Sequence, residues 1–417
     1  MAGQSSNRAN IKVNKERLWQ SLMDMAKIGA TAKGGSCRLA LSDEDKAGRD
    51  LFVQWCKEAG CTVEIDRLGN IFARRPGRDP KMDPVVTGSH LDTQPTGGKF
   101  DGVYGVLAGL EVIRTLNDHG YETDAPVEVT VWTNEEGSRF APSMIASGVF
   151  AGAYSEKDAH AIKDVDGKTM GEELKRIGYL GDRPCGGQKF RAFFEAHIEQ
   201  GPILEAQKRT IGVVTGAQGL RWFDVTITGQ EAHAGSTPMP RRRDALVGAV
   251  KVIDRLNAIA LAHAPYGVAT VGVMRVMPAS RNTIPGTVYF SVDIRHPDDA
   301  ALTRMHEALS AALATICGGL GLQHELTQVA YTKPVVFDRE CVSTVRAAAK
   351  DCGFDGLDII SGAGHDACYI NRVAPTGMIF VPCADGISHN EIESATPEDL
   401  AAGCDVLLRA MLGRAVL

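Results

Sequence analysis

Hydrophobic and polar positions show two patterns along the chain, one with helical spacing and one of short, strand-like apolar runs. In residues 42–60, Ser42 is followed three positions later by Asp45, and apolar side chains recur at helical spacing until Gly60. This pattern predicts a capped amphipathic helix. Apolar, strand-like runs follow, such as "DPVVTGSH", "PVEVTVWTNEEG" and "FRAFFEAHIEQG", with helical segments such as "GVLAGLEVIRTLNDHG" between them. The alternation predicts an α/β fold, with a sheet flanked by helices.

The predicted order of strands and helices changes near residue 214. From residue 221 the pattern predicts strand, helix, two strands, helix and strand, and one of these strands is expected over residues 266–278. This order is typical of a ferredoxin-like α+β unit with its own core. The first pattern then resumes. We therefore predict one domain from residues 1–213 and 331–417, with a second domain inserted at 214–330.

Composition agrees with this organisation and excludes several classes of protein. A chain of 417 residues is too long for one ordinary core. Its net charge is −6, and its only basic run, residues 241–243, is interpreted as a solvated helix start, so no nucleic-acid partner is expected. No run of about 18 apolar residues predicts a membrane span. A polar N-terminus and ten cysteines without a CxxC pair favour a cytoplasmic protein with free thiols.

Four apolar runs end in residues that bind cations or accept protons. They are "VVTGSHLD", "VEVTVWTNEEG", "FRAFFEAHIEQG" and "GMIFVPCADGISHNE". Sites in open α/β sheets lie beyond the carboxyl ends of strands. Any one of these residues alone is more often structural, but their recurrence at four strand ends favours a shared site. We expect it to contain His90, Asp101, Glu135, Glu136, His197 and His389.

The donor types in this set favour a metal centre. Adjacent carboxylates such as Glu135 and Glu136 repel each other unless a cation or a proton lies beside them. Imidazoles and carboxylates without cysteine match the zinc ligands of an open site better than those of a closed structural site. Two zinc ions, two carboxylates and a bridging hydroxide would carry a net charge of about +1, which favours an anionic substrate.

Nine motifs in the chain resemble those of a known family. They are "GSHLDT", "GGKFDGVYGVLAGLE", "TNEEGSRF", "EAHIEQGP", "GQEAHAGSTPM", "RNTIPG", "DIRH", "SGAGHDA" and "ISHNEIE". With them the chain is similar, from about residue 15 to residue 410, to the N-carbamoyl-amino-acid amidohydrolases. This family includes L-carbamoylases, β-ureidopropionases and allantoate amidohydrolases, within the dinuclear zinc aminoacylase and carboxypeptidase clan.

The resemblance implies two divalent metal ions per subunit. Position by position, His90 and His197 would bind one ion, Glu136 and His389 would bind the other, and Asp101 would bridge them. Zinc is the first expectation, although manganese, cobalt and nickel accept the same ligands.

It also implies the roles of two carboxylates near the ligands. Asp92 resembles the aspartate that orients the first histidine. Glu135 resembles the general base that takes a proton from the attacking water and passes it to the leaving nitrogen. In the peptidase relatives a carboxylate usually replaces His197, so the histidine there is typical of the carbamoyl branch.

The inserted domain would supply substrate contacts and a dimer interface. His233 resembles the histidine that stabilises the tetrahedral oxyanion from the partner subunit, which makes a homodimer a catalytic requirement. Asn282 and Arg295 resemble the pair that binds the substrate carboxylate. Without the resemblance, His233 would be part of a polar loop and Arg295 a strand-end ion-pair partner.

Further contacts are implied around the carbamoyl group. Gln200 resembles the residue that holds this group, and the backbone at Gly362 and Gly364 would approach the ligand closely. His365 and Asp366 match a family motif without an assignable role and are interpreted as a structural buried pair.

The implied activity is hydrolysis of the linear C–N bond of an N-carbamoyl-β-alanine or an N-carbamoyl-L-amino acid, which gives the amino acid, carbon dioxide and ammonia. The alternatives are an allantoate amidohydrolase, a dipeptidase or an N-acyl amino acid deacylase of the same clan. A metal-dependent binding protein is a further alternative, but it would have no use for a base at Glu135.

Overall fold

The computed structural model describes residues 11–416. The strands are β1 Thr62–Ile65, β2 Ile71–Arg75, β3 Val85–His90, β4 Val127–Trp132, β5 Ala192–Ile198, β6 Gly212–Ala217, β7 Gly219–Thr228, β8 Ala232–His233, β9 Val268–Thr270, β10 Met274–Met277, β11 Thr283–Ile284, β12 Thr287–His296, β13 Gln323–Thr332, β14 Val335–Val336, β15 Leu357–Ser361 and β16 Thr376–Val381. The α-helices are α1 Lys15–Met25, α2 Asp43–Glu58, α3 Val103–Asp118, α4 Ile145–Phe150, α5 Glu156–Ala161, α6 Met170–Ile177, α7 Ile203–Ala206, α8 Ala245–Ala262, α9 Asp299–Leu320, α10 Arg339–Asp351, α11 Asp366–Ile370 and α12 Pro397–Ala415.

The described chain divides into two compact units. One contains the residues up to Thr215 and those from Phe337 onward, and the other is Gly216–Val336. The first unit has a mixed sheet with the strand order β1-β2-β4-β3-β5-β16-β6, and β15 pairs with β6. The predicted α/β class with a helix-flanked sheet is therefore confirmed. Across residues 11–416, no helix is long and apolar enough to cross a membrane.

The four central strands position the candidate site. They lie in the order β4-β3-β5-β16, and each neighbouring pair is parallel. Every residue of these strands is buried. Parallel strands with both faces covered bury residues on both sides, so polar residues of β4 such as Glu128 and Thr130 are buried as well as its valines. Because the strands are parallel, their carboxyl ends lie at one edge of the sheet.

The second unit contains an antiparallel sheet with helices on one face. Its order is β10-β12-β7-β13, and β9 also pairs with β12. Alternate residues of β12 are buried and join one core with side chains of α8 and α9. The elements β7, α8, β10, β12, α9 and β13 follow the predicted β-α-β-β-α-β order.

The strand predicted over residues 266–278 is wrong as a single element. The structure has two short strands there, and they pair with different parts of β12: β9 lies opposite Asp293–Arg295 and β10 lies opposite Thr287–Phe290. Between them, Val273 exchanges hydrogen bonds with Ser291 through its N–H and its carbonyl oxygen. The apolar pattern continues through this irregular connection, so it cannot reveal the break.

A buried ion pair joins two residues one turn apart in the first half of α2. Arg49 and Asp45 are both fully buried, and the guanidinium Nε lies 2.8 Å from the carboxylate. The same guanidinium donates to the carbonyl oxygen of Gly69 at 2.8 Å and to the hydroxyl of Thr133 at 3.3 Å. Arg49 therefore fastens α2 to the segment that follows β4.

We predict that Arg49→Met destabilises the protein by about 3 to 5 kcal/mol, because Asp45 would remain buried without its counter-charge. Chemical denaturation measures the loss. Arg346→Met is the control, since the ion pair of Arg346 with Asp358 is about half exposed on both sides and should contribute at most about 1 kcal/mol. Equal losses in the two variants would contradict the importance of the buried pair.

Candidate metal centre

The structure brings the residues predicted at four strand ends to one edge of the sheet. His90 is the last residue of β3, and His197 lies one residue before the end of β5. Glu135 and Glu136 follow β4, and His389 lies in the loop after β16. The neighbouring order of these parallel strands explains why sequence-distant side chains meet.

Asp101 lies between two groups of donors. One carboxylate oxygen, Oδ1, is 3.2 Å from Nε2 of His197 and 3.7 Å from Nε2 of His90. The other, Oδ2, is 3.3 Å from Nε2 of His389, which is itself 3.4 Å from Oε2 of Glu136. Each oxygen of Asp101 therefore belongs to a different group.

The spacing within each group fits a metal ion. Two ligand atoms bound tetrahedrally to one zinc ion at about 2.0 to 2.1 Å lie about 3.3 Å apart. The two groups, His90–Asp101–His197 and Asp101–Glu136–His389, each have their ligand atoms within 4.8 Å of one another. Nitrogen and oxygen donors without a thiolate also suit an open, hydrolytic metal site. The residues present therefore fit two ions that share Asp101.

Two of these histidines are each oriented by a main-chain oxygen. Nδ1 of His90 lies 2.8 Å from the main-chain oxygen of Asp92, and Nδ1 of His197 lies 2.9 Å from that of Ile198. A carbonyl oxygen can only accept, so each ring donates from Nδ1 and turns its Nε2 toward Asp101, the atom through which a neutral ring would bind a metal ion. Burial also lowers the pKa of His90 to about 4, which keeps this ring neutral.

Asp92 contacts His90 through its main chain. Its main-chain oxygen, and not its carboxylate, orients His90. The carboxylate instead accepts hydrogen bonds from the backbone N–H groups of Glu135 and Glu136, at 3.3 and 3.2 Å. The reason is the adjacency of β3 and β4, which places the turn after β4 beside Asp92. Asp92 therefore holds both the first histidine and the turn with the two glutamates.

Glu135 lies beside the two donor groups without belonging to either. Its side chain is 10% exposed, and Oε2 lies 3.4 Å from Nε2 of His90. Burial, followed by the charges of Asp366 and Glu136, raises the pKa of Glu135 well above its ordinary value. Burial and the charge of Asp101 also raise the pKa of Glu136 to about 8. So many buried carboxylates favour a cation or a proton between them.

Three residues that hydrogen-bond around Asp101 and Glu136 were not predicted from the sequence. Oε1 of Glu393 accepts the N–H groups of Phe100 and Asp101 at 2.9 and 3.1 Å, and its Oε2 accepts the hydroxyl of Ser388 at 3.0 Å. Gln94 donates to Oε2 of Glu136 at 2.7 Å. The only sequence signal was proximity: Glu393 and Ser388 lie in the same "ISHNEIE" run as the ligand His389.

Gln200 reaches the centre of this arrangement. It follows β5 with a φ of 56°, and its amide Nε2 donates to Oδ2 of Asp101 at 2.9 Å and to Ser388 at 3.2 Å. Its Oε1 is buried and has no hydrogen-bond partner. An orphaned acceptor of this kind suits a donor group on a bound ligand.

The "SGAGHDA" segment contributes buried contacts. The ring of His365 lies 4.6 Å from that of His197, and its Nε2 is 2.9 Å from the hydroxyl of Ser361. Asp366 begins α11 and is fully buried. A Cβ on Gly364 would lie 2.8 Å from the flexible end of the Met144 side chain, so a substitution there would first displace Met144. The structure assigns no chemical role to His365 or Asp366.

Two predicted substrate residues of the second unit are neighbours. β8 pairs with β11 in the register His233 opposite Thr283, and Ala234 donates its N–H to the carbonyl oxygen of Asn282 at 2.9 Å. His233 and Asn282 therefore lie on one two-stranded ribbon. The sequence pattern gave no sign of this ribbon because each strand has only two residues.

Arg295 lies at the other end of the same unit. β12 begins at Thr287, shortly after the ribbon, and Arg295 is eight residues further along it. At about 3.3 Å per residue the two positions are roughly 26 Å apart. The guanidinium of Arg295 contacts Asp293 at 2.8 Å. Asn282 and Arg295 are therefore not neighbours within one chain, and their shared role toward a substrate carboxylate stays a prediction.

Comparisons with known proteins place the chain in a family. The model of peptidase family M20/M25/M40 matches residues 86–413. An N-carbamoyl-L-amino-acid amidohydrolase from Rhizobium meliloti is 52% identical over 412 residues, which cover 99% of this chain and 98% of that protein. One from Geobacillus stearothermophilus is 37% identical over 399 residues, with 95% and 97% covered.

A solved structure also links the chain to the carbamoylases. A hydantoinase/carbamoylase family amidase from Burkholderia multivorans superposes with a TM-score of 0.95 at 66% identity, and the match covers 98% of this chain and 99% of that one. The chain belongs to peptidase family M20/M25/M40, in the branch of hydantoinase/carbamoylase amidases. The recognition based on the sequence motifs is therefore confirmed.

We predict that Gly102→Ala weakens metal binding at least about tenfold, because the ligand His90 would lose its position. Gly102 has a φ of 68°, and a Cβ there would lie 2.3 Å from the ring of His90. Titration of the chelated protein with zinc measures the affinity. Gly60→Ala is the matched control, since Gly60 has a φ of 80° but no neighbour within 4 Å. Unchanged zinc affinity in Gly102→Ala would show that this close packing is unimportant.

Proposed function

We propose that the protein hydrolyses N-carbamoyl-L-amino acids at their linear C–N bond, with release of the amino acid, carbon dioxide and ammonia. One observation carries the proposal: two donor groups share Asp101, and a third buried carboxylate, Glu135, lies beside them without joining either. The names of the Rhizobium and Geobacillus relatives support this substrate class.

We assign His90, His197 and Asp101 to one divalent ion, and Glu136, His389 and Asp101 to a second. Zinc suits these ligands best, and manganese, cobalt or nickel could replace it. When bound, the ions supply Lewis acidity toward the ureido carbonyl and lower the pKa of water at the site.

Glu135 is assigned the proton transfers. Its carboxylate is buried and lies within reach of the donor groups, so it can take a proton from the attacking water and pass it to the leaving nitrogen. The turn that carries it is fixed by Asp92, which accepts the backbone N–H of Glu135. This support keeps the base at one position during the two transfers.

Gln200 is assigned to the carbamoyl end of the substrate. Its Nε2 is already bonded to Asp101 and Ser388, whereas its buried Oε1 has no partner. An acceptor without a partner is suited to the terminal NH2 of a ureido group. The backbone at Gly364 is assigned to the same ligand on the basis of the family resemblance alone.

The remaining substrate contacts are assigned to a homodimer. Arg295 lies roughly 26 Å along β12 from Thr287, the end of the strand that follows the ribbon with His233 and Asn282, so we infer that a small substrate does not touch both groups within one chain. We infer that His233, with Asn282, acts on a substrate held in the partner subunit, while Arg295 binds the carboxylate of a different substrate molecule. Dimerisation and closure over the substrate are assigned to Gly216–Val336.

A cytoplasmic location remains part of this proposal. It is supported by the ten cysteines, all of which are free thiols.

An ammonia-release assay on the metal-loaded enzyme tests the substrate class. We expect turnover of N-carbamoyl-L-amino acids, and less of N-carbamoyl-β-alanine, allantoate and dipeptides, because relatives of 52% and 37% identity are named for the first class. Glu135→Gln should lower the rate about 10²- to 10⁴-fold without loss of metal. Release of amino acids from dipeptides, with no ammonia from any carbamoyl compound, would contradict the proposal.

Glu398→Gln is the control for the base. This exposed glutamate pairs with Lys15 and lies outside both donor groups, so full activity is expected. If Glu135→Gln also kept the wild-type rate, the base would have to be another residue.

Mixed dimers test the shared site. Alone, His233→Ala and Glu135→Gln should both be inactive. After random mixing, about a quarter of the wild-type activity should return, because half of the dimers would contain one site with an intact Glu135 and the partner's intact His233. If both residues act within the same chain, every site keeps one defect and no activity returns.

A further inference from the structure

Arg242 is bound to the turn that follows His233. Its Nη2 donates to the carbonyl oxygen of Ala234 at 2.6 Å and to that of Thr237 at 3.0 Å, and its Nε donates to Thr237 at 3.1 Å. Arg241 and Arg243 are exposed, and neither side chain makes a hydrogen bond among the residues described. The basic run is therefore solvated, as interpreted, except for its middle residue.

The same turn fixes the hydrogen bonding of the imidazole. Nδ1 of His233 lies 3.1 Å from the backbone nitrogen of Gly235 and 3.1 Å from that of Ser236. Backbone N–H groups can only donate, so Nδ1 must accept from both. The proton of the neutral ring therefore lies on Nε2, which is left as the only donor of this side chain.

We propose that Arg242 is a positioning residue that holds the His233 ring in its Nε2–H tautomer and in one orientation. The guanidinium spans two carbonyl oxygens of the turn, and this keeps the N–H groups of Gly235 and Ser236 aimed at Nδ1. An oxyanion needs a donor that is already in place when its charge develops. The inference rests on the proposed role of His233, but its structural part can be measured separately.

Arginine suits this task better than lysine. Its planar fork makes several hydrogen bonds in fixed directions, whereas an ammonium group on a flexible chain cannot hold two carbonyl oxygens in the same way. Arg242→Lys should therefore keep the charge but position the His233 ring less well, and Arg242→Met should lose both the charge and the positioning.

Nitrogen NMR of the zinc-loaded, 15N-histidine-labelled enzyme tests the proposal. His233→Gln identifies the signals of His233 by their loss. In the wild type we expect one pyridine-type Nδ1 and one protonated Nε2. In Arg242→Met the two signals should move toward each other, because the released ring exchanges between tautomers. Arg242→Lys should give an intermediate result, and Arg241→Met should match the wild type.

Kinetics of ammonia release gives the second readout. In Arg242→Met we expect kcat to fall about tenfold with KM within about twofold, since the lost interaction forms only in the transition state. His233→Gln should lose about 10²-fold or more in kcat. Thermal melting establishes that each variant is folded, and Arg242→Lys provides a milder variant should Arg242→Met unfold.

The possible outcomes distinguish the positioning role of Arg242 from the proposed function of His233. Wild-type His233 signals in both Arg242→Met and Arg242→Lys would overturn the positioning role, whatever the activity. Altered signals with a lowered kcat support it. Altered signals with wild-type kcat in both Arg242→Met and His233→Gln would keep the structural role of Arg242 and reject the proposed function of His233.

Discussion

The position of the Asp101 carboxylate is the constraint on which the first unit depends. Its two oxygens face different donor groups, so a shift of this one side chain would disturb both. Asp101 is not on a strand, and other residues must hold it. Glu393 accepts its N–H, Ser388 and Gln200 donate to its Oδ2, and Gly102 leaves room for His90 beside it.

This arrangement concentrates negative charge in a buried place. Burial and the charge of Asp101 raise the pKa of Glu393 to about 7 and that of Glu136 to about 8. Carboxylates at these positions repel one another strongly in a medium of low polarity. Two divalent cations would offset that repulsion, and the fold supplies nitrogen donors on both sides of Asp101 to bind them. The charges are therefore unfavourable for stability alone but suited to a metal centre.

The sequence predicted the meeting of the strand ends because parallel order is encoded in the alternation of strands and helices. It could not predict which atom of Asp92 contacts His90. An aspartate has both a carboxylate and a main-chain oxygen, and the sequence does not show which of them faces the ring. The supports around Asp101, such as Glu393, are single polar residues in loops, and no periodic pattern marks them. The separation of Asn282 and Arg295 within one chain could not be predicted either, because residue types suggest partners without giving the length of strand between them.

The second unit shows how the length of a sheet can set the number of chains in a site. Ferredoxin-like packing requires β12 to span the whole sheet, so groups at its two ends stay far apart whatever the local side chains do. A substrate the size of an amino acid reaches only one end. If both ends bind substrate, as proposed, each chain must take part in two sites, and a monomer would lack either the oxyanion donor or the carboxylate ligand. Under that proposal the strand length would make the dimer necessary, and the short ribbon with His233 and Asn282 would be the element that one chain contributes to the site of the other.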